Sequence, residues 1–134
     1  MLTNQISCNQ PNSITKFNSS EAIKIEDFNT YISKFYTDSL FQQSRIVTPL
    51  EGEILSWDVN VDNVVKSGWL GNEPTVTDYE IIKVTMQSSI QKFDKSQDSI
   101  VEKIYMENSG FLMERTFKLS EGQWFLTRYN IKYL

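Results

Sequence analysis

Three charged residues in the last third of the chain stand among apolar neighbours, where they are well placed to bind a ligand. Glu102, Arg115 and Arg128 lie in segments whose apolar and polar residues alternate, as they do in half-buried strands. Two-residue turns at Ser109-Gly110 and Glu121-Gly122 would join these segments into an antiparallel meander. In that register Arg115 lies directly opposite Arg128 and diagonally from Glu102, on one mainly apolar face.

Two adjacent arginines on an apolar sheet face require negative charge nearby. Glu102 supplies one carboxylate, and a bound anion or a carboxylate from elsewhere in the chain would supply another. We therefore predict a small-ligand site, with anions among the candidate ligands, at Glu102, Arg115 and Arg128. The alternative is that the sheet bends and the guanidinium groups lie in water, with their stems along apolar surface.

The residue types that most catalytic and metal sites require are scarce. The 134 residues include no histidine and one cysteine, Cys8, which removes the commonest general base and the commonest zinc ligand. The alternating Asp58, Asn60 and Asp62 lack the glycine and the closing glutamate of a calcium loop. We predict no catalytic residues, no metal and no cofactor, although an unassigned Tyr/Asp acid–base pair stays open as a weaker alternative.

Composition favours a folded domain that binds neither DNA nor RNA. Hydrophobic residues make up 40% of the chain and aromatic residues 13%, which is enough to form one core. The net charge is −4, and the 13 Lys and Arg residues are scattered, whereas nucleic-acid binding requires a basic face. No apolar run approaches the roughly 20 residues of a transmembrane helix.

The N-terminal part of the chain differs in composition from the rest. Residues 1–20 are rich in Asn, Gln, Ser and Thr, and we interpret them as a loose leader before one α+β domain at 21–134. Ile6-Ser7-Cys8 is similar to the end of a bacterial lipoprotein signal, with Cys8 as the lipidated residue of a cell-envelope protein. The alternative is a free cysteine in a frayed tail, and the compartment stays open.

Helical periodicity begins at Asp27, which is placed to cap a helix whose apolar face carries Phe28, Ile32 and Phe35. Asp38 is placed to cap a second, shorter helix. Trp57 and Trp69, in the middle of the chain, are predicted to lie in the core. The remaining predicted elements are a strand at 54–57, a helical turn at 62–66, a strand at 79–86, and the meander strands at 100–107, 111–119 and 123–133.

The opposite face of the meander supports a second hypothesis, a protein–protein interaction or homodimerisation domain. Exposed aromatic residues on a sheet often mark an interface. The alternative is that helices or the leader cover this face. The residues assigned to it are Lys103, Tyr105, Phe125, Tyr129, Ile131 and Tyr133.

Two segments carry a family resemblance. The stretch 35–50, with Asp38-Ser39, Phe41-Gln42, Arg45-Ile46 and Pro49-Leu50, resembles an uncharacterised family of Bacteroidetes envelope proteins that are often lipoproteins. Gly122-Gln123-Trp124 is similar to the Gly-x-Trp step that starts the last strand of the nuclear transport factor 2-like (cystatin-like) α+β cone.

This resemblance covers 27–134 and implies N-terminal helices packed on a curved, mainly antiparallel sheet with a pocket at its open end. It implies no activity, because the fold hosts isomerases, dehydratases, binding modules and assembly domains. Enzymes of the fold place Asp, Tyr or His in the pocket, and this chain has no His and no Asp or Tyr that can be aligned to those positions. The function we predict is a non-catalytic binding module for a small ligand.

Overall fold

The computed structural model describes residues 23–69 and 75–134. The predicted leader at 1–20 and the candidate lipidation residue Cys8 lie outside the described residues. Within the described ranges, no helix is long and apolar enough to cross a membrane. The helices there are α1 (Phe28–Thr37), α2 (Ser39–Ser44) and α3 (Tyr79–Thr85). The strands are β1 (Ile46–Glu51), β2 (Ile54–Asp58), β3 (Asn63–Ser67), β4 (Ile90–Lys95), β5 (Ser99–Tyr105), β6 (Phe111–Ser120) and β7 (Gln123–Tyr133).

The strands form one curved, mainly antiparallel sheet with the helices on its inner face, which confirms the predicted α+β class. The strand order is β3-β2-β7-β6-β5-β4, and β1 also pairs with β7. The pairings of β7 with β1 and with β2 are parallel, whereas the others are antiparallel. The predicted meander corresponds to β5, β6 and β7, and the helices pack on its inner face.

Both predicted helix caps are present. The Asp27 carboxylate accepts a 2.9 Å hydrogen bond from the Thr30 amide at the start of α1. Asp38 ends α1 and begins α2, where its carboxylate accepts from the first free amides of that helix. The apolar face of α1 buries Tyr31 and Phe35 against Phe117 of β6, with all three side chains at most 1% exposed. The core therefore lies between α1 and the middle of the meander.

Three predictions for the middle of the chain are wrong. Residues 62–66, predicted as a helical turn, fall largely in strand β3, and 79–86, predicted as a strand, form α3. In α3 the β-branched Ile81 and Val84 are 62% and 69% exposed, so strand propensity did not decide the structure. Trp69 is buried as predicted, but Trp57 is 51% exposed because β2 continues beyond its pairing with β7.

A half-buried ion pair ties the segment before α1 to the start of β7. Arg45 donates to both carboxylate oxygens of Glu26, at 2.7 and 3.0 Å, and to the carbonyl of Trp124 at 3.0 Å. The Trp124 amide donates to the same Glu26 carboxylate at 3.0 Å. Burial by itself would raise the pKa of Glu26, but the hydrogen bonds from Arg45 and Trp124 and the Arg45 charge outweigh it and lower that pKa below its ordinary value.

The lowered pKa of Glu26 predicts how stability depends on pH. An acid whose pKa is depressed in the folded state stabilises that state above its unfolded pKa of about 4.3, and the contribution disappears as pH falls through the folded pKa. At pH 7 we expect Glu26→Gln to lower the free energy of unfolding by about 1–2 kcal/mol. Urea titrations should show this difference constant above about pH 5 and shrinking below about pH 4. A difference that persists unchanged in acid would contradict an ionic role for Glu26.

Candidate functional site

Glu102 and Arg115 meet on the inner face of the sheet, and both side chains are completely buried. They lie directly opposite each other on β5 and β6, with Arg115 Nε 3.4 Å from Glu102 Oε1. The predicted diagonal arrangement is wrong because the connection at 106–110 is longer than a two-residue turn and moves the register by two positions. A shift of two keeps every residue on its predicted face, since side chains alternate with a period of two.

Side chains from other elements surround this ion pair. Tyr36 of α1 donates to Glu102 Oε1 at 2.5 Å, and Gln91 of β4 donates to Oε2 at 2.6 Å. Arg115 Nη1 donates to Tyr36 Oη at 3.1 Å and to the carbonyl of Thr77, just before α3, at 2.6 Å. Burial raises the pKa of Tyr36 well above its ordinary value, against the opposing charge of Arg115, so the phenol remains a donor. The pair thus connects α1 and the segment before α3 to the sheet.

Arg128 does not join this pair, so its predicted position opposite Arg115 is wrong. A β-bulge in β7 leaves Thr127 without a partner between the pairs Phe117–Leu126 and Thr116–Arg128. The extra residue turns Arg128 to the outer face, where its Nη1 lies 2.9 Å from Glu51 and its side chain is 46% exposed.

The same bulge removes half of the predicted outer aromatic face. Tyr129, Ile131 and Tyr133 were assigned to the outer face, but beyond Thr127 they face inward, and Tyr129 is only 4% exposed. Lys103 does lie on the outer face, where its ammonium group is 3.0 Å from Asp94. The outer face past the bulge carries charged and polar side chains in place of the predicted aromatic ones.

Next to the ion pair, a cavity of about 280 Å³ lies between α3 and the inner face of the sheet. Its walls are mostly apolar side chains from α3 and from the ends of β6 and β7. Thr77, Met113 and Tyr129, which lie at one end, each also contact Arg115. The other lining residues are Ile81, Ile82, Thr85, Met86, Phe111 and Tyr133.

One weak acceptor serves two donors in the wall of the cavity. Arg115 Nη2 and Tyr129 Oη both donate to the thioether sulfur of Met113, each at 3.3 Å. A thioether is a weak acceptor. Arg115 is completely buried behind this wall, whereas the Tyr129 side chain lines the cavity. An oxygen atom brought to this wall would therefore be a better acceptor for the Tyr129 hydroxyl than the thioether is.

Two contacts to its backbone hold Tyr129 in place. The indole nitrogen of Trp69 donates to the Tyr129 carbonyl at 2.7 Å, and the two rings are 5.0 Å apart. Gly52 has a φ of +127°, and a Cβ added there would lie 1.9 Å from the same carbonyl oxygen. Only glycine allows this approach, so the connection between β1 and β2 determines where one wall of the cavity stands.

Four members of this site were not predicted from the sequence: Tyr36, Gln91, Thr77 and Tyr129. Tyr36 lies beside the predicted apolar stripe of α1, and Thr77 contributes only its backbone carbonyl, so neither has a sequence signature. Tyr129 had a sequence signature, because the apolar residues of β7 change from even to odd positions at the bulge. In the described ranges, no group of three or more His, Cys, Asp or Glu residues is placed to hold a metal ion.

Comparisons with known proteins agree with this architecture. A protein-family model, described only as "-like", matches residues 26–134. A cystatin-like protein from Bacteroides caccae is 20% identical, with a TM-score of 0.59 over 81% of this chain and 78% of that chain. A protein from Bacteroides ovatus is 17% identical, with a TM-score of 0.54 over 84% and 77% of the two chains.

An NTF2-like protein from Bacteroides fragilis is 20% identical, with a TM-score of 0.51. That alignment covers 85% of this chain and 50% of the other, so the present chain spans half of that protein's length. The search of curated proteins finds no match. At these identities the structural likeness concerns the fold alone.

Proposed function

We propose that this chain, which belongs to the NTF2-like (cystatin-like) family, is a non-catalytic binding module for a small ligand. The ligand occupies the cavity beneath α3. The proposal depends on one observation, the Tyr129 hydroxyl in the wall of a mostly apolar cavity, where its acceptor is the weak Met113 thioether. Glu102 and Arg115 remain in the proposed site as the ion pair behind this wall, and Arg128, on the other face of the sheet, leaves it.

The geometry favours an oxygen acceptor over a negative charge as the polar group of the ligand. Glu102 already balances the charge of Arg115, so what the cavity lacks is a strong acceptor for the Tyr129 hydroxyl. The cavity volume corresponds to roughly nine water molecules at liquid density. A ligand with one ring or a short acyl chain, ending in a neutral carbonyl, fits these limits.

Three probes of similar shape test the ligand chemistry: acetophenone, phenylacetate and isopropylbenzene. They present a neutral acceptor, an anionic acceptor and no acceptor, and binding is followed by protein amide chemical shifts. We expect acetophenone to bind at least about tenfold more tightly than the hydrocarbon, and more tightly than phenylacetate, whose charge would be buried without a counter-charge. Tyr129→Phe should reduce that preference and leave the affinity for isopropylbenzene unchanged.

A matched pair of variants on α3 tests the location. Met86 lines the cavity and Val84 does not, and both lie near the end of the helix. We expect Met86→Trp to fill the cavity and abolish binding of all three probes, whereas Val84→Trp, at a side chain that is 69% exposed, leaves binding intact. Equal effects of the two tryptophans, or binding that ignores both, would overturn the proposed site.

A further inference from the structure

The cavity beneath α3 has a closed end and an open end. The closed end is lined by Met113 and Tyr129, which are 8% and 4% exposed. Ile81 and Tyr133 line the same cavity and are 62% and 46% exposed. Tyr129 and Tyr133 are separated by four residue steps of β7, which is roughly 13 Å of strand. The cavity therefore runs along β7 from the Tyr129 hydroxyl to a mouth beside Ile81 and Tyr133.

The rim of this mouth is apolar. None of the nine described residues that line the cavity carries a charge. Ile81 and Thr85 are four residues apart and share one face of α3, and the Thr85 hydroxyl already donates to the Ile82 carbonyl at 3.1 Å. The Tyr133 ring lies 5.6 Å from the ring of Phe111. The rim therefore presents apolar surface to a ligand, without a charged group that would hold a polar end there.

We propose that the ligand is a neutral carbonyl compound with an apolar chain, which enters carbonyl first and leaves its chain at the mouth. This inference rests on the proposed function and adds the orientation and the length of the ligand. With the carbonyl at the closed end, its oxygen replaces the Met113 thioether as the acceptor for Tyr129. In the opposite orientation the oxygen would lie at the apolar rim, and the Tyr129 hydroxyl would keep its weak acceptor.

The volume of the cavity sets the length at which a ligand must protrude. At the roughly 30 Å³ that a water molecule takes in the liquid, the cavity holds about nine non-hydrogen atoms. A methyl ketone of the size of 2-octanone fills it, and a longer chain continues over Ile81 and Tyr133. The chain then covers side chains that are exposed in the free protein, so each further carbon adds to the affinity.

Three methyl ketones, 2-hexanone, 2-octanone and 2-decanone, test the length, with dissociation constants measured from protein amide chemical shifts. From 2-hexanone to 2-octanone we expect the affinity to rise about three- to fourfold per carbon, because these carbons are fully buried. From 2-octanone to 2-decanone we expect a further rise of about twofold per carbon, because the rim covers one side of the chain. A fall in affinity at 2-decanone would overturn the inference, since the chain could not then leave the cavity.

A matched pair of variants on α3 tests where the chain leaves. Ile81→Ser removes apolar surface from the mouth, and Val84→Ser makes a similar change outside the cavity. We expect Ile81→Ser to remove most of the gain from 2-octanone to 2-decanone and to leave the affinity for 2-hexanone within about twofold. Val84→Ser should leave all three affinities unchanged. A full gain in Ile81→Ser would contradict an exit over α3.

Intermolecular nuclear Overhauser effects test the orientation directly. With 2-decanone bound, the methyl group next to the carbonyl should show effects to Met113 and Tyr129, and the methyl group at the end of the chain should show effects to Ile81. The reverse pattern would overturn this inference, while binding in the cavity, and with it the proposed function, would stand. If neither the three ketones nor acetophenone bind, the proposed function fails and this inference fails with it.

Discussion

Replacing Arg115 with methionine is expected to lower the free energy of unfolding by about 3–5 kcal/mol, because it leaves a completely buried carboxylate without its counter-charge. Methionine has a similar length and no branch, so the loss reflects charge more than packing. Glu102 would keep its hydrogen bonds from Tyr36 and Gln91. Neutral donors do not balance a full charge in this environment.

A double-mutant cycle identifies the cause of the loss. Glu102→Gln removes the negative charge and keeps an acceptor for Tyr36. The loss in unfolding free energy measured for the double variant with Arg115→Met should therefore be smaller than the sum of the two single losses. The difference is the coupling energy, which we expect to be about 1–3 kcal/mol. Urea unfolding of the four proteins gives the coupling. Additive losses would mean that Glu102 and Arg115 act independently, which their 3.4 Å separation and joint burial argue against.

The Glu102–Arg115 ion pair shows which features of the site the sequence predicts and which it does not. The face on which Glu102 and Arg115 lie follows from alternation along each strand, and an error of two residues in the hairpin connection leaves alternation intact. The residues that complete the site come from α1, β4 and the segment before α3. Their approach depends on how the helices pack on the curved sheet, and the local pattern at Tyr36 or Gln91 contains no information about that packing.

Capping residues predicted structure well in one part of the chain and were overlooked in another. Asp27 and Asp38 precede apolar residues at helical spacing, and both predicted helices are present. Asp78 precedes Tyr79 and Ile82, which have the same spacing, and its carboxylate accepts from the Glu80 amide at 3.3 Å. The β-branched residues of this segment favoured a strand, but the cap and the spacing of the inward-facing residues were better guides than propensity.

The β-bulge at Thr127 changed the residues assigned to both functional hypotheses. Its position can be recognised in the sequence. Trp124 and Leu126 occupy even positions on the inner face, whereas Tyr129 and the apolar residues after it occupy odd positions. A continuous strand divides these residues between two apolar faces, which is how the outer aromatic face was predicted. One inserted residue places all of them inside, because it reverses the alternation.

Deleting Thr127 is expected to leave the domain folded, because Leu126 and Arg128 already pair with consecutive residues of β6 and become neighbours in a regular strand. Arg128 stays on the outer face and Tyr129 stays on the inner face, since Thr127 is the extra residue at the bulge. The deletion also removes the bend that the bulge gives β7, which disturbs the hydrogen bond from Trp69 to the Tyr129 carbonyl. We expect the free energy of unfolding to fall by about 1–3 kcal/mol.

Thr127→Ala is the matched control, since it keeps the residue count and removes only a 3.3 Å hydrogen bond to the Thr116 carbonyl. We expect this variant to unfold cooperatively within about 1 kcal/mol of the parent. Near-ultraviolet circular dichroism and urea titration test both variants, because each should keep a fixed aromatic signal and a cooperative unfolding transition. The loss measured for the deletion variant should exceed the loss for Thr127→Ala, since only the deletion straightens β7. A deletion variant with no fixed aromatic signal would contradict this expectation, because it would mean that the inward placement of Tyr129 requires the extra residue itself.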